Sequence, residues 1–283
     1  MPEGPEVRRT VDLIKKINNK TLYKIKINNG RYVKHGPFKN YEILIKDLPL
    51  KIKKVDCKGK FIYIIFENDK VLFNTLGMSG RWNWNFDKNM EKHDNLTFYL
   101  KDYQKVLFFN DYRNFGTFMY CDMDELNKKL KSLGPDILME HDKYNLFREK
   151  IEKKRNDAVI GTTLLDQKVA SGCGNYLRAE VLYYCKISPY REIKKLTEKE
   201  LKLIWSNMVK IAWIFYDFEK GIKNKIFTKN DKLLNIYLVE NYLNYTYYRN
   251  FQVYNQETDG KGNKVISEKL KDRTIRWVKE IQK

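Results

Sequence analysis

The chain opens Met1-Pro2-Glu3-Gly4-Pro5-Glu6-Val7, and two of these residues could do chemistry together. If Met1 is removed, the ring nitrogen of Pro2 becomes a free secondary amine. An internal backbone nitrogen is an amide and attacks nothing, whereas a free amine adds to a carbonyl carbon and forms an iminium, as Schiff-base nucleophiles do. An α-amino group titrates at roughly 7.7–8.0 in model peptides, so part of it is neutral and nucleophilic at pH 7. Glu3 follows directly and could move protons for the same reaction. The same residues also read as a plain helix start on a frayed terminus. Pro5 suits a first helical turn, because its φ is fixed and its missing N–H costs nothing there. Val7, Val11, Ile14 and Ile17 follow at helical spacing. The positive end of that helix would lie near the amine and disfavour the ammonium form.

Composition narrows what such an amine could act on. The 283 residues allow two domains with real cores, and apolar residues make up 42%, enough for globular folding. There is no run of about 18 apolar residues and no signal-peptide pattern, so a soluble intracellular protein without a membrane role is expected. Lys and Arg number 55 against 36 Asp and Glu, a formal charge of +19. That excess suits a polyanionic partner, nucleic acid first and acidic membrane second, although a lysine-rich surface kept for solubility gives the same count. The 20 Tyr and 15 Phe interleave with the basic residues, which suits base stacking and β-rich cores equally. Cys57, Cys121, Cys173 and Cys185 form no C-x-x-C pair, and three scattered histidines make no cluster, so neither a disulfide framework nor a metal site is expected.

The elements that must position these residues change character along the chain. After the first helix the period becomes two, with expected strands at Leu22–Ile27, Tyr41–Ile45, Ile52–Cys57, Lys60–Phe66, Val71–Thr75, Leu96–Leu100, Lys105–Asn110 and Gly116–Tyr120. Short β-branched and aromatic strands at this density read as a sandwich or barrel. Lys60 falls at the start of one strand, where a cation could face a phosphate or simply face solvent. From Asp124 the pattern is helical, and Gly134-Pro135 stops a helix at an expected domain hinge. Tyr144 to Lys154 reads as an amphipathic helix. Gly172-Cys173-Gly174-Asn175 is a tight turn into a helix over Tyr176–Cys185. Free N–H groups at that helix start, with the Asn175 side chain, could bind a phosphate, and a helical hairpin with no ligand would look the same. Thr197-Glu198-Lys199-Glu200 is a capping-box pattern for a helix to about Phe218. Residues 219–250 are basic and aromatic with no readable fold. Phe251–Tyr254 and Lys264–Ile266 read as the arms of a β-ribbon, linked through Thr258–Asn263 and followed by Asp272–Lys279.

The opening heptapeptide, the Leu164–Glu180 stretch and Arg273-Thr274-Ile275-Arg276-Trp277 together resemble the formamidopyrimidine-DNA glycosylase/endonuclease VIII family over essentially the whole chain. The resemblance implies an α+β fold. Residues 1–134 would form an N-terminal catalytic β-sandwich domain with a leading helix, and residues 135–250 a helix–two-turn–helix DNA-binding domain. Residues 251–283 would form a β-ribbon finger. Many members build that finger around four zinc-bound cysteines. No cysteine or histidine follows Cys185 here, so the resemblance is to the zinc-free, Nei-like branch, with no cofactor.

It implies a monomeric bifunctional DNA glycosylase and AP lyase that acts on double-stranded DNA carrying oxidised bases or abasic sites. Pyrimidine lesions and ring-opened purines are favoured because the middle motif looks Nei-like. Pro2 would be the nucleophile, Glu3 would handle protons, and Lys60 and Arg273 would complete the catalytic set as phosphate-gripping cations. Asn175 matches a phosphate-binding asparagine, and His93, in Glu91-Lys92-His93-Asp94, matches a histidine that contacts phosphate. Met78, in Leu76–Gly80, and Arg113 and Phe115, in Asp111–Gly116, match residues that fill the hole left by an extruded base. Taken alone, Met78 and Phe115 could equally be core and Arg113 a surface ion pair. Tyr112 stands where many members have proline, and Thr75 where they have histidine. Two other classes fit the opening: a catalytically silent DNA-binding relative if Met1 is retained, and a tautomerase using an N-terminal proline.

Overall fold

The computed structural model describes residues 2–84, 88–101, 106–155, 157–240 and 247–283. Met1, Lys105 of one expected strand, and residues 241–246 of the unread stretch lie outside them. The chain divides into two compact units, one of Pro2 with Glu6–Ser132 and one of Glu3–Pro5 with Leu133–Lys283.

Helix α1 (Gly4–Ile14) and a 3-10 turn to Ile17 place Val7, Val11, Ile14 and Ile17 in the first core, as their spacing requires. The described strands of that unit form one antiparallel sheet of eight: β1 (Thr21–Ile27), β2 (Leu50–Lys58), β3 (Phe61–Phe66), β4 (Lys70–Thr75), β5 (Arg81–Asn83), β6 (Asp94–Lys101), β7 (Leu107–Asn110) and β8 (Thr117–Asp122), in the order β5-β7-β6-β1-β2-β3-β4-β8. Between β1 and β2 only Thr21↔Lys51 and Leu22↔Leu50 are paired. The sheet therefore turns there, and its two four-stranded halves face each other as a sandwich. Trp82 of β5 shows the packing: its ring meets Phe98, Phe109 and, from the far half, Phe118 at 5.9 Å. Its buried indole N–H donates to Asn74 Oδ1 on β4 at 3.0 Å.

The expected strand Tyr41–Ile45 is instead a helix. Helix α2 (Arg31–Lys34) and helix α3 (Tyr41–Asp47) sit between β1 and β2. Ile43 and Ile45 suggested a strand, but they are exposed. The residues facing the core are Tyr41, Leu44 and Leu48, spaced i, i+3, i+7. The short β5 was not anticipated. Helix α4 (Met123–Ser132) closes the unit.

The second unit is helical: α5 (Tyr144–Glu152), α6 (Ile160–Thr163), α7 (Asn175–Cys185), α8 (Glu198–Lys223) and α9 (Lys232–Tyr237). Thr197 and Glu200 form the expected capping box, each side chain taking the other's backbone N–H. The helix they open runs past the expected end at Phe218, with a non-helical residue at Asp217. Aromatic stacking joins α5 to α8, between Phe147 and Trp205 at 4.9 Å, and α8 to the later segment at Phe251, between Phe215 and Phe251 at 5.1 Å. A small pair, β9 (Leu238–Glu240) with β10 (Tyr247–Arg249), follows α9.

The terminal ribbon differs from its expected register. Its strands are β11 (Ile266–Leu270) and β12 (Arg273–Trp277), whereas Phe251–Tyr254 is a bent segment and Thr258 meets Lys264 in a single bridge. That bent segment is fixed by Glu180 of α7, whose fully buried carboxylate accepts the N–H groups of Gln252 at 2.9 Å, Val253 at 3.0 Å and Tyr254 at 2.8 Å. Burial pushes the Glu180 carboxyl above the ordinary range, against those three donors. Asp259 closes the next loop, accepting from the backbone of Lys261 and Asn263 and from the Tyr183 hydroxyl at 2.9 Å. Burial opposes its ionisation, yet these donors hold its carboxyl below the usual range. Val253, Val265 and Val278 pack on Ala179 of α7. Replacing Glu180 by Ala strips three amides of their acceptor at roughly 1–3 kcal/mol each. Chemical denaturation should show Glu180→Ala destabilised by about 3 kcal/mol or more.

Candidate active site

In the first unit Lys60, Met78, Arg113 and Phe115 lie beside the ends of β3, β4 and β8. Gly59 (φ 58°) turns the chain from β2, so Lys60 lies in that turn just ahead of β3, half-buried. Its neighbour Phe61 pairs with Thr75 at the end of β4, and Thr75 pairs with Thr117 at the start of β8. The Thr75 and Thr117 hydroxyls meet at 2.6 Å. Met78 is half-buried in the loop after β4, and Arg113 and Phe115 are exposed in the loop before β8. Phe115 is 50% exposed, which removes the core-packing reading of that residue. The Arg113 guanidinium lies over the Phe115 ring at 5.3 Å, a cation–π contact. His93 ends a short 3-10 segment; its ring meets Tyr112 edge-on at 6.1 Å, and its carbonyl accepts the Asp111 N–H at 2.9 Å. Met78, His93, Arg113 and Phe115 are thus carried by loops that touch one another.

In the second unit the start of α7 organises the rest. Glu3 is 1% exposed. Its Oε1 accepts the N–H of Tyr176 at 2.8 Å and its Oε2 that of Leu177 at 3.2 Å. The helix-start amides left open for a phosphate in the sequence reading are therefore taken by this carboxylate. The arrangement is favourable twice over, since orphan donors gain an acceptor and an anion sits at the positive end of the helix. Gly4 N–H donates to Gly172 O at 2.8 Å, and a Cβ on Gly4 would stand 3.0 Å from the Gly172 Cα. Gly172 itself has φ +103°, open to glycine but strained for other residues. Gln167 braces the turn from inside, accepting from Gly172 N–H at 3.0 Å and donating to Cys173 O at 2.8 Å.

Asn175 is half-buried, and its Oδ1 accepts from Arg178, which turns the amide group into a fixed donor. Arg178, fully buried, also donates to Gly161 O at 2.9 Å and to Thr274 O at 2.7 Å. Burial pulls its pKa down to about 10, so it remains a cation at neutral pH. One guanidinium therefore ties Asn175 to the strand residue beside Arg273. Arg273 is exposed at the start of β12, next to the turn at Lys271-Asp272. Its sequence rival, Arg276, is half-buried with its guanidinium over the Tyr254 ring at 5.0 Å. Among the described residues, no group of three or more His, Cys, Asp or Glu could hold a metal.

Sequence reading missed Arg178 and Asp111 as working residues. The signal for Arg178 was its charge, shared with Glu180, inside the otherwise apolar run Tyr176–Leu182. For Asp111 it was an Asp opening a turn that ends in glycine.

Two family models match the chain: the formamidopyrimidine-DNA glycosylase N-terminal domain over residues 1–118 and the formamidopyrimidine-DNA glycosylase H2TH domain over residues 133–225. The chain is 32% identical over 212 residues to the formamidopyrimidine-DNA glycosylase of Oceanobacillus iheyensis, covering 73% of this chain and 74% of that protein. It is 32% identical to that of Lactococcus lactis subsp. cremoris, covering 75% and 77%. Among solved structures, the wild-type Lactococcus lactis protein in complex with an oxidised-pyrimidine-containing DNA superposes with a TM-score of 0.75, at 27% identity and 99% coverage of both chains. No described helix is long and apolar enough to cross a membrane. The chain belongs to the formamidopyrimidine-DNA glycosylase family.

Proposed function

We propose that this protein is a DNA glycosylase of oxidised-base repair that is also an AP lyase, with the Pro2 amine as its nucleophile. The observation that carries the reading is the anchorage of the N-terminus. A frayed helix start would leave residue 3 in solvent. Here Glu3 and Gly4 are bound to the turn and first helical turn that carry Asn175, so the residue just before them is held in place. Pre-positioning of this kind is what a terminal amine needs to meet a sugar carbon. The relatives named above are glycosylases, and the Lactococcus lactis protein has been seen with damaged DNA.

In this reading the damaged nucleotide leaves the stack, and Met78, Arg113 and Phe115 occupy the hole. Pro2 nitrogen bonds to the sugar C1′ as the bond from C1′ to the base breaks, and Glu3 handles the protons. The C1′–O4′ bond then breaks as O4′ takes a proton, and the iminium so formed acidifies the 2′ hydrogens. Loss of one with expulsion of the 3′ phosphate is β-elimination, and δ-elimination then expels the 5′ phosphate. Lys60, His93, Asn175 and Arg273 hold phosphates, with Arg178 positioning the last two. The finger is read as zinc-free, its loops closed by Asp259 and Glu180.

Three tests follow from this. Borohydride should trap a covalent adduct with abasic-site DNA on protein whose intact mass lacks Met1, and Pro2→Thr or retained Met1 should abolish it. Undiminished trapping would move the nucleophile to a lysine, Lys60 first. Arg178→Ala should weaken binding to an abasic duplex by roughly tenfold, the scale of one lost charged hydrogen bond, whereas Arg276→Ala should cost clearly less. The reverse order would show that the finger works through Arg276. Prolonged chelation should leave the melting temperature and activity unchanged, and loss on chelation reversed by zinc would defeat the metal-free finger.

A further inference from the structure

The loops carrying Met78 and Arg113–Phe115 are joined by one buried side chain. Asp111, 2% exposed, lies between β7 and the second loop. Its Oδ2 accepts the Gly116 N–H at 2.6 Å, and its Oδ1 accepts the Arg113 N–H at 3.2 Å, so it closes its own loop at both ends. The same Oδ1 also accepts the hydroxyl of Ser79, which belongs to the first loop. Ser79 Oγ in turn accepts the Arg113 N–H at 3.0 Å. A single carboxylate–hydroxyl–amide triangle thus spans both loops.

The backbone between them is equally close. A Cβ on Gly77 (φ +61°) would lie 2.5 Å from the Phe115 carbonyl carbon and 2.7 Å from Gly116 N, so the two loops share a boundary that admits only glycine. Beneath them, Asn95 accepts the Asp111 N–H at 2.9 Å and donates to Asn114 Oδ1 at 2.6 Å. The second loop is therefore held from the first loop, from β6 and from its own turn.

We propose that Asp111 and Ser79 are positioning residues that clamp the two loops into one rigid wedge, so that Met78, Arg113 and Phe115 enter the duplex as a unit. The inference rests on the void-filling reading of those three residues and adds what makes them act together. A hole opened by an extruded base destabilises the stack until it is filled, and loops ordered separately would each lose conformational freedom at that moment. Loops ordered beforehand against each other do not, which is the general advantage of preorganisation. The coupling matters only where there is a stack to fill. It therefore sets how strongly a paired lesion is preferred to the same site in a single strand.

The test uses Ser79→Ala in the full chain, which removes the cross-loop bonds and leaves Asp111 its contacts with Gly116 and Asn95. Amide hydrogen exchange of the DNA-free protein should speed up in the peptide covering 111–116, although the substitution lies in the other loop; unchanged exchange overturns the clamp. Single-turnover rates on a paired oxidised-base duplex are then measured for Met78→Ala, Phe115→Ala and the double variant, with and without Ser79→Ala. In the wild-type background the double variant should be slowed less than the product of the singles by roughly three- to tenfold, and this coupling should vanish with Ser79→Ala. It should also be absent on a single-stranded abasic site. Costly but multiplicative single effects would overturn the clamp and leave the void-filling reading standing. No effect of either single on the paired substrate would overturn both.

Discussion

The second unit depends on one carboxylate meeting two amides. Glu3 gives the first turn of α7 the acceptors it lacks, and α7 in return holds the chain terminus. Neither partner would be stable as found without the other. The helix would otherwise begin, at a glycine N-cap with no side-chain bond, with its first amides buried and unsatisfied. The terminus would otherwise lose two of the donors that receive its buried charge. The close approach of Gly4 to Gly172 follows from that bond and explains why small residues occupy both positions.

The same device recurs. Asp111, Asp136, Glu180 and Asp259 are all buried, and each accepts backbone N–H groups of a turn or loop. In a chain with 55 basic residues, these acids serve as internal anions that shape irregular backbone. Backbone donors are fixed in direction and cost no side-chain entropy, so they suit this work better than long flexible cations. One consequence is that these carboxylates do not neutralise the positive surface, which stays available to a polyanion.

Much of the fold was legible because it is locally encoded. The capping box at Thr197, the Gly-x-Gly turn before α7 and the helical spacing of Val7, Val11, Ile14 and Ile17 each need only a few neighbouring residues. Helix α3 was misread because two exposed isoleucines imitated a strand, and the decisive residues, Tyr41, Leu44 and Leu48, declare their face only once the core is known. The ribbon register was misjudged because Phe251–Tyr254 alternates like a strand, yet Glu180, some seventy residues earlier, bends it. The candidate site divides the same way. Its exposed residues carry short motifs, whereas its supports, Glu3 on Tyr176 and Arg178 on Thr274, join residues distant in sequence that no spacing rule connects.

The finger is attached to α7 at three levels of that helix, through Arg178 to Thr274, Glu180 to residues 252–254, and Tyr183 to Asp259. A metal-centred finger gains its folding energy from its own ligands and can be an autonomous unit. This ribbon has only two strands, too few to be stable alone. Its folding is therefore subordinate to the helical domain, and the two form a single cooperative block. Local opening of the ribbon must break the buried helix contacts as well, so the terminal thirty residues should share the domain's global unfolding free energy instead of fraying as termini commonly do.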